Sequence, residues 1–360
     1  MIWRQEVKKL LKHPLLWCLF AVFMVWNIFL VVETLGVYGV DGQDYHEIQE
    51  EIQRNGINEE YFNEKRGRYD TLNMLVVRDV KKEMFNYYPT GSYQEFIDER
   101  YEKLNLRVKE IIETKEADGI VYPGDAFRLH TKFYVTVLRT VFAEMSILVL
   151  FAVLFIMDYE RMNRTIALTY SCKIGRKLQF TKWCAGTIVG ICFGVVLLAG
   201  TLFLWFLLVP YQGFWDISVS AALMTEPRGI FHYPYVTFHK MTIAQYLAAT
   251  VAIGMVLLLI IGLIAGVMQT LVYNSYLALA CVAMFLLTGL WISGIGTTTW
   301  LDVVLAWNPT DLWYRMGNWF MEGSLVSSFE GAEIICVCVQ IGFWSAIGGL
   351  AYRRFMRKDC

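Results

Sequence analysis

Six long apolar runs constrain this chain more than any other feature of its sequence. Each run is close to the ~20 residues that a helix needs to cross a bilayer. Of the 360 residues, 56% are hydrophobic and only 18% are charged, below the ~25% typical of soluble domains. The sequence therefore predicts an all-α polytopic membrane protein with the bilayer as its medium, and it argues against a soluble nucleic-acid-binding protein. The six transmembrane helices are predicted at residues 15–37, 133–157, 183–209, 242–268, 276–293 and 334–352.

The positions of the basic residues orient these spans. Residues 1–14 are basic and amphipathic, which predicts a helix lying at the membrane surface. Residues 158–182 contain six Lys/Arg and two acids, and the tail 353–360 contains four Lys/Arg. Loops and ends rich in Lys/Arg are retained in the cytoplasm. We therefore expect both termini and the loop at 158–182 to be cytoplasmic.

Residues 38–132 form a long polar segment with 20 acids and 14 Lys/Arg. The spans on either side of it place this segment outside. Ser92 and Glu95 match a capping box, and apolar residues recur after them at helical spacing. We expect an α-helical extracellular domain between the first two transmembrane helices. A second, shorter external loop is expected at residues 210–241.

Residues 294–333 are too apolar for an ordinary loop. Four tryptophans are spread through this segment, and Trp favours the membrane interface. Asn308 followed by Pro309 can start a new helix, because Asn caps well and Pro suits the first helical turn. We expect one or two short re-entrant helices that enter the outer leaflet.

The loop at 158–182 has a distinctive order of residues. An acid just past a span is followed by a Thr, an apolar turn, an Arg, and a Lys that opens the next helix; these are Glu160, Thr165, Leu168, Arg176 and Lys182. Together with the six-span topology and the opening Glu6-Val-Lys-Lys-Leu-Leu, this order resembles the permeases of ABC type-two exporters. One departure from the family pattern is Arg164, where the family often has Gly.

The resemblance implies that residues 158–182 form a coupling helix that docks on a separate ATPase subunit. Arg164 is added to the five matching residues as a coupling candidate. The resemblance also implies two ATPase subunits, a second permease copy or a sister permease, and a place in the bacterial plasma membrane. ATP and Mg are then bound by the partner ATPase, and this chain itself is expected to hold no cofactor.

The function expected from the resemblance is export of a peptide, a lipid or an amphipathic drug, driven by the ATPase subunits. A non-transporting protein that relays ATPase motion to an extracellular domain, for signalling or cell-wall control, is the alternative. The loop at 158–182 also has a plainer interpretation, as a basic interfacial loop that follows the positive-inside rule.

The sequence carries no motif for chemistry of its own. A phosphate-binding loop of the GxxxxGK[ST] kind needs a Gly-Lys dipeptide, and the chain has none. The metalloprotease motif HExxH and the hydrolase motif GxSxG are also missing from the sequence. We therefore expect neither an enzyme nor a metal site. None of the eight cysteines falls in residues 38–132, so a disulfide framework is not expected there.

Small and polar residues within the spans are the remaining candidates. Glycines four apart allow helices to approach closely in lipid, either within one chain or between two copies; they are Gly186, Gly190, Gly194, Gly262 and Gly266. Glu144 lies near the middle of the second span, where an ionisable group normally faces a partner or a watery path. Asn27 in the first span is a candidate partner for it.

Overall fold

The computed structural model describes residues 2–37, 69–118, 130–171, 175–209, 211, 214–222, 233–292, 298–323 and 329–357. Within these ranges the chain is helical and has no strands beyond two isolated bridges. Six helices are long and apolar enough to cross a membrane, which confirms the six predicted spans. They are α2 (Pro14–Val37), α5 (Arg139–Met162), α7 (Leu178–Leu208), α9 (Ile243–Val272), α10 (Ser275–Ile292) and α13 (Ala332–Arg357).

The shorter helices divide between the two ends of this bundle. One end, which we name the loop side, carries α1 (Ile2–Leu11) and α6 (Ile166–Ser171). The opposite side carries α3 (Met74–Met84), α4 (Ser92–Glu113), α8 (Val219–Ala222), α11 (Leu301–Ala306) and α12 (Pro309–Tyr314). A π-helix, Thr131–Leu138, precedes α5 on that opposite side.

Several spans extend beyond their predicted bounds, among them the two that flank the loop at 158–182. Helix α5 continues five residues past the predicted end at 157, and α7 begins at Leu178 rather than 183. The reason is that Asp158, Glu160 and Lys182 are buried against neighbouring helices, where ion pairing lets charged residues continue a helix. The segment between the two spans is therefore shorter than 158–182 and runs from 163 to 177.

The centre of the bundle is the contact of α5 with α7, and α9 packs against both. A Cβ on Gly190 would lie 2.6 Å from Val149 Cα, and one on Gly186 would lie 2.7 Å from Val153 Cα. These glycines, with Gly194 beside Met145, let α7 lie directly on α5 within one chain. On α9, a Cβ at Gly262 or Gly266 would meet side chains of α7 at 2.6 Å and 2.0 Å.

Helices α3 and α4 form a second core that they share with distant parts of the chain. Tyr101, Leu104 and Ile111 on α4 pack in this core with Val236 and Val303, which come from the segments before α9 and in α11. The described part of 38–132 is thus helical but builds its core jointly with the other loops of its side. The rest of the predicted extracellular domain, residues 38–68 and 119–129, lies outside the described residues.

The predicted capping box at Ser92 does not form. Helix α4 begins at Ser92, but its N-cap is Gly91, with a φ of 61° and no side-chain cap hydrogen bond. The Ser92 hydroxyl instead accepts a hydrogen bond from Trp300 Nε1 at 3.2 Å. A tertiary contact therefore takes the place of the local one.

Two short helices occupy the described part of 294–333. Helix α12 begins as predicted, because Asn308 Oδ1 accepts from the amides of Thr310 and Asp311, and Pro309 sits in the first turn. Helix α12 packs against α9, α10 and α13. Helix α12 therefore lies among three spans, and its entry into the outer leaflet stays a prediction.

Candidate functional site at the basic loop

Four charged residues from three helices meet at the loop side of the bundle. Lys9 Nζ on α1 donates to Glu160 Oε1 on α5 at 2.8 Å and to Glu6 Oε1 at 2.7 Å. Lys182 on α7 also pairs with the Glu160 carboxylate. We name these residues, Glu6, Lys9, Glu160 and Lys182, the charge cluster. It joins α1, α5 and α7 through a single carboxylate.

The charge cluster is electrically balanced, and all of its side chains except Lys9 are buried. The side chains of Lys182 and Glu160 are only 2% and 10% exposed, and two acids face two lysines. Removing charges from water is costly, so a group of this kind persists only where every charge is paired. Beside it lies a cavity of about 20 Å³ lined by Asp158, Lys182 and Gln269, enough for one water molecule. The cluster therefore holds the three helices in one fixed arrangement.

The loop that leaves this cluster turns back at once and forms α6. Arg164 has a φ of 58°, which ends α5 in a left-handed residue, and the Thr165 amide donates to the Glu160 carbonyl at 2.8 Å. Leu168 on α6 is 70% exposed, and Arg164 is exposed as well. A short helix with an exposed apolar residue, preceded by an exposed Arg, is thus linked through the Thr165 backbone to Glu160 of the charge cluster.

Arg176 lies on the far side of the loop and contacts a different helix. Its Nη1 donates to the carbonyls of Phe355 and Met356 at 3.5 and 3.1 Å. These carbonyls belong to the last turn of α13, where basic side chains complete the unsatisfied backbone groups. Arg176 therefore fixes the second end of the loop to the C-terminal span.

The six coupling candidates thus separate by position. Glu160 and Lys182 are brought together in the charge cluster, and Thr165 is tied to the first of them through its backbone. Arg164 and Leu168 face outward, and Arg176 faces α13. Their role toward an ATPase stays a prediction, with Arg164 and Leu168 placed where a partner protein could reach them.

The two polar residues within the spans contact each other. Asn27 Nδ2 on α2 donates to Glu144 Oε2 on α5 at 2.7 Å, and both side chains are buried. This hydrogen bond joins two spans well away from the loop. It gives the Glu144 carboxyl the partner that a polar group needs inside a bilayer.

Sequence reasoning missed a buried polar group on the opposite side. Lys81 Nζ on α3 donates to Glu322 Oε1 at 2.6 Å, and the hydroxyls of Tyr101 and Tyr233 donate to the same carboxylate at 3.0 and 2.9 Å. The paired side chains of Lys81 and Glu322 are 4% and 1% exposed. The partners lie 241 residues apart in the sequence, so no local spacing could have paired them.

A second buried ion pair that sequence reasoning missed lies at the C-terminal end of α4, on the same side of the bundle. Arg107 donates to both oxygens of Glu116, at 2.9 and 2.6 Å, and its Nε donates to the Thr237 carbonyl at 3.3 Å. Burial raises the pKa of the Glu116 carboxyl, but the hydrogen bonds and the charge of Arg107, together with the Thr114 hydroxyl and the charge of Lys240, lower that pKa below its usual value. The C-terminal end of α4 and the segment before α9 are thereby held together.

Comparison with known proteins adds no further assignment. No protein-family model, no curated protein and no solved structure matches the chain. Among the described residues, no group of three or more His, Cys, Asp or Glu side chains is placed to hold a metal ion. The functional argument therefore rests on the topology and on the geometry of the loop.

Proposed function

We propose that this chain is the membrane subunit of an ABC exporter in a bacterial plasma membrane, with α6 as the element that a separate ATPase moves. The observation that carries the proposal is the exposure of α6 together with its attachment to the charge cluster. Leu168 on α6 and the preceding Arg164 are exposed, and the Thr165 amide between them is hydrogen-bonded to Glu160 of the charge cluster that three helices share. A docking helix needs both properties, because the partner must reach it and its movement must be passed on.

The proposed mechanism follows from what α6 is attached to. A force on α6 reaches Glu160 at the end of α5 and, through Lys182, the start of α7. Since α7 packs directly on α5 through its glycines, the two spans move together. ATP-driven closure of two ATPase subunits on the cytoplasmic face would tilt this pair of spans in each permease. A second permease copy or a sister permease would complete the pathway for a peptide, lipid or amphipathic cargo.

The alternative is a non-transporting protein in which the same motion works the helices of the opposite side. One observation favours it. The buried Lys81–Glu322 pair fastens α3 to the segment before α13, and the hydrogen bond from Arg107 to the Thr237 carbonyl fastens α4 to the segment before α9. A motion of the spans would therefore also move these helices. Measurable cargo movement in membrane vesicles distinguishes export from this relay.

Co-purification of ATPase activity tests the proposal. The chain is expressed in its own host, extracted in a mild detergent, and assayed for ATP hydrolysis and for associated proteins with Walker motifs. Leu168→Asp places a charge on the docking face and should remove at least nine-tenths of the associated ATPase activity. Leu106→Asp is the matched control, because Leu106 is 64% exposed on α4, and it should leave the activity unchanged.

Two results would overturn the proposal. One is wild-type protein without any nucleotide-hydrolysing partner under conditions that keep it folded. The other is equal ATPase activity in Leu168→Asp and Leu106→Asp.

A further inference from the structure

Helix α1 separates its charged residues by sign. Its one acid, Glu6, is buried against the bundle together with Leu10, and Lys9 lies on the same face because it pairs with Glu160. The other basic side chains of α1 and of the turn that follows it are exposed. We name them the basic stripe, because residues four apart lie along one face of a helix; they are Arg4, Lys8 and Lys12. The outward charge of this helix is therefore purely positive.

An exposed apolar line runs beside the basic stripe. Trp3 and Leu11 are 38% and 42% exposed, and Val7 between them is partly buried. Each of the three precedes a member of the basic stripe by one residue, so they occupy the adjoining face, about 100° around the helix. In the part of the chain that the structure describes, no ion pair involves the basic stripe. Adjoining apolar and basic faces are typical of a helix that lies on a membrane surface.

The start of α2 places α1 at the edge of the hydrocarbon. Only Lys12 and His13 separate Leu11 from Pro14, where the first span begins, and this path is at most ~11 Å long. Trp17 near the start of α2 is 50% exposed, and its Nε1 donates to the Leu11 carbonyl at 2.8 Å. An exposed Trp at the end of a span favours the membrane interface. The C-terminal end of α1 is therefore expected at the level of the lipid headgroups.

We propose that α1 binds anionic phospholipids, with the basic stripe against their headgroups and with Trp3 and Leu11 among the first carbons of the acyl chains. A zwitterionic headgroup has no net charge, so the unpaired cations of the stripe favour an anionic one. Each Lys or Arg near an anionic membrane surface favours binding about fivefold. This inference goes beyond the proposed function, because it holds whether or not an ATPase docks on α6.

A photoreactive lipid tests the site. Full-length protein is reconstituted in phosphatidylcholine vesicles with a trace of phosphatidylglycerol or phosphatidylcholine that carries a photoreactive group on one acyl chain. Peptide mass spectrometry then measures crosslinks to residues 2–17. We expect the phosphatidylglycerol probe to give at least tenfold more of these crosslinks than the phosphatidylcholine probe. The excess should largely disappear between 0.1 M and 1 M salt, because the screening length falls from about 10 Å to about 3 Å.

Three variants separate the charge of the stripe from other effects. The neutral variant should lose at least nine-tenths of the crosslinking excess; it combines Arg4→Gln, Lys8→Gln and Lys12→Gln. A variant that exchanges Arg for Lys and Lys for Arg within the stripe keeps the charge and should keep the excess. The matched control removes three exposed lysines on α4 and just after it and should also keep the excess; it combines Lys103→Gln, Lys109→Gln and Lys115→Gln.

Three results would overturn the proposal. One is equal crosslinking of the wild-type protein by the two probes at low salt. Another is an undiminished excess in the neutral variant. The third is a neutral variant that keeps the lipid excess but loses an associated protein, because the stripe would then be a protein-docking surface.

Discussion

At the scale of residues, charges buried outside the spans are stabilised by pairing with an opposite charge. Lys81 and Glu322 are almost fully buried and face each other at 2.6 Å. Removing one partner of such a pair leaves an uncompensated charge and costs about 3–5 kcal/mol. We expect Lys81→Met to lower the melting temperature sharply, and Lys81→Met with Glu322→Gln to recover much of the loss. Thermal unfolding in detergent measures both.

Lys103 provides the control for this prediction. Its pair with Glu99 is about two-thirds exposed on both sides, and exposed ion pairs contribute little. Lys103→Met should melt close to wild type. A loss as large as that of Lys81→Met would show that the effect comes from charge removal in general and not from burial.

His130 predicts a pH dependence of stability. Burial, only partly offset by the hydrogen bond from Nε2 to the Gly317 carbonyl at 3.1 Å, lowers the pKa of His130 from 6.5 to about 4. Between these values the unfolded chain binds a proton that the folded chain does not, so stability falls as the pH falls from 6.5 to about 4. Melting temperatures of wild type and His130→Gln should diverge across this window, with the variant losing less. If the melting temperatures of the two proteins fell in parallel with pH, the lowered pKa of His130 would be contradicted.

At the scale of helices, hydropathy predicts the spans but not their ends. The apolar runs give all six spans because a bilayer requires about 20 apolar residues per crossing. Hydropathy does not predict the ends of α5 and α7 at the loop, because the charged residues Asp158, Glu160 and Lys182 continue these helices and are buried against neighbouring helices. Long-range pairs such as Lys81–Glu322 leave no local periodicity. By contrast, the contact of Asn27 with Glu144 could be predicted from the sequence, because a polar side chain inside a bilayer needs a polar partner.

The contact of α7 with α5 gives a prediction at the same scale. A methyl group at Gly190 would lie 2.6 Å from Val149 Cα, so Gly190→Ala must push the two spans apart. Overpacking of this kind typically costs about 1–3 kcal/mol. Gly342→Ala on α13 is the control, because nothing lies within 4 Å of its Cβ position, and the better helix propensity of Ala should stabilise it slightly. Equal unfolding of the two variants would contradict the close approach of α5 and α7.

At the scale of the molecule, contacts at both ends of the bundle link the short helices to the spans. On the loop side, the charge cluster ties α1, α5 and α7 together, and Arg176 ties the loop to α13. On the opposite side, the buried Lys81–Glu322 ion pair fastens α3 to the segment before α13, and Arg107 is hydrogen-bonded to Thr237 in the segment before α9. Since α5 and α7 run from one end of the bundle to the other, we expect a movement imposed on α6 to reach both ends. We propose that an ATPase imposes that movement.

Site-specific photocrosslinking from α6 tests this claim most directly. A photoreactive phenylalanine replaces Leu168 in the chain expressed in its own host, and the same residue at Leu106 serves as the control. We predict that irradiation links position 168 to a protein with Walker motifs and that ATP changes the yield. Position 106 should form no such link. Crosslinks from position 168 to lipid alone, or the same ATPase linked from position 106, would contradict the account.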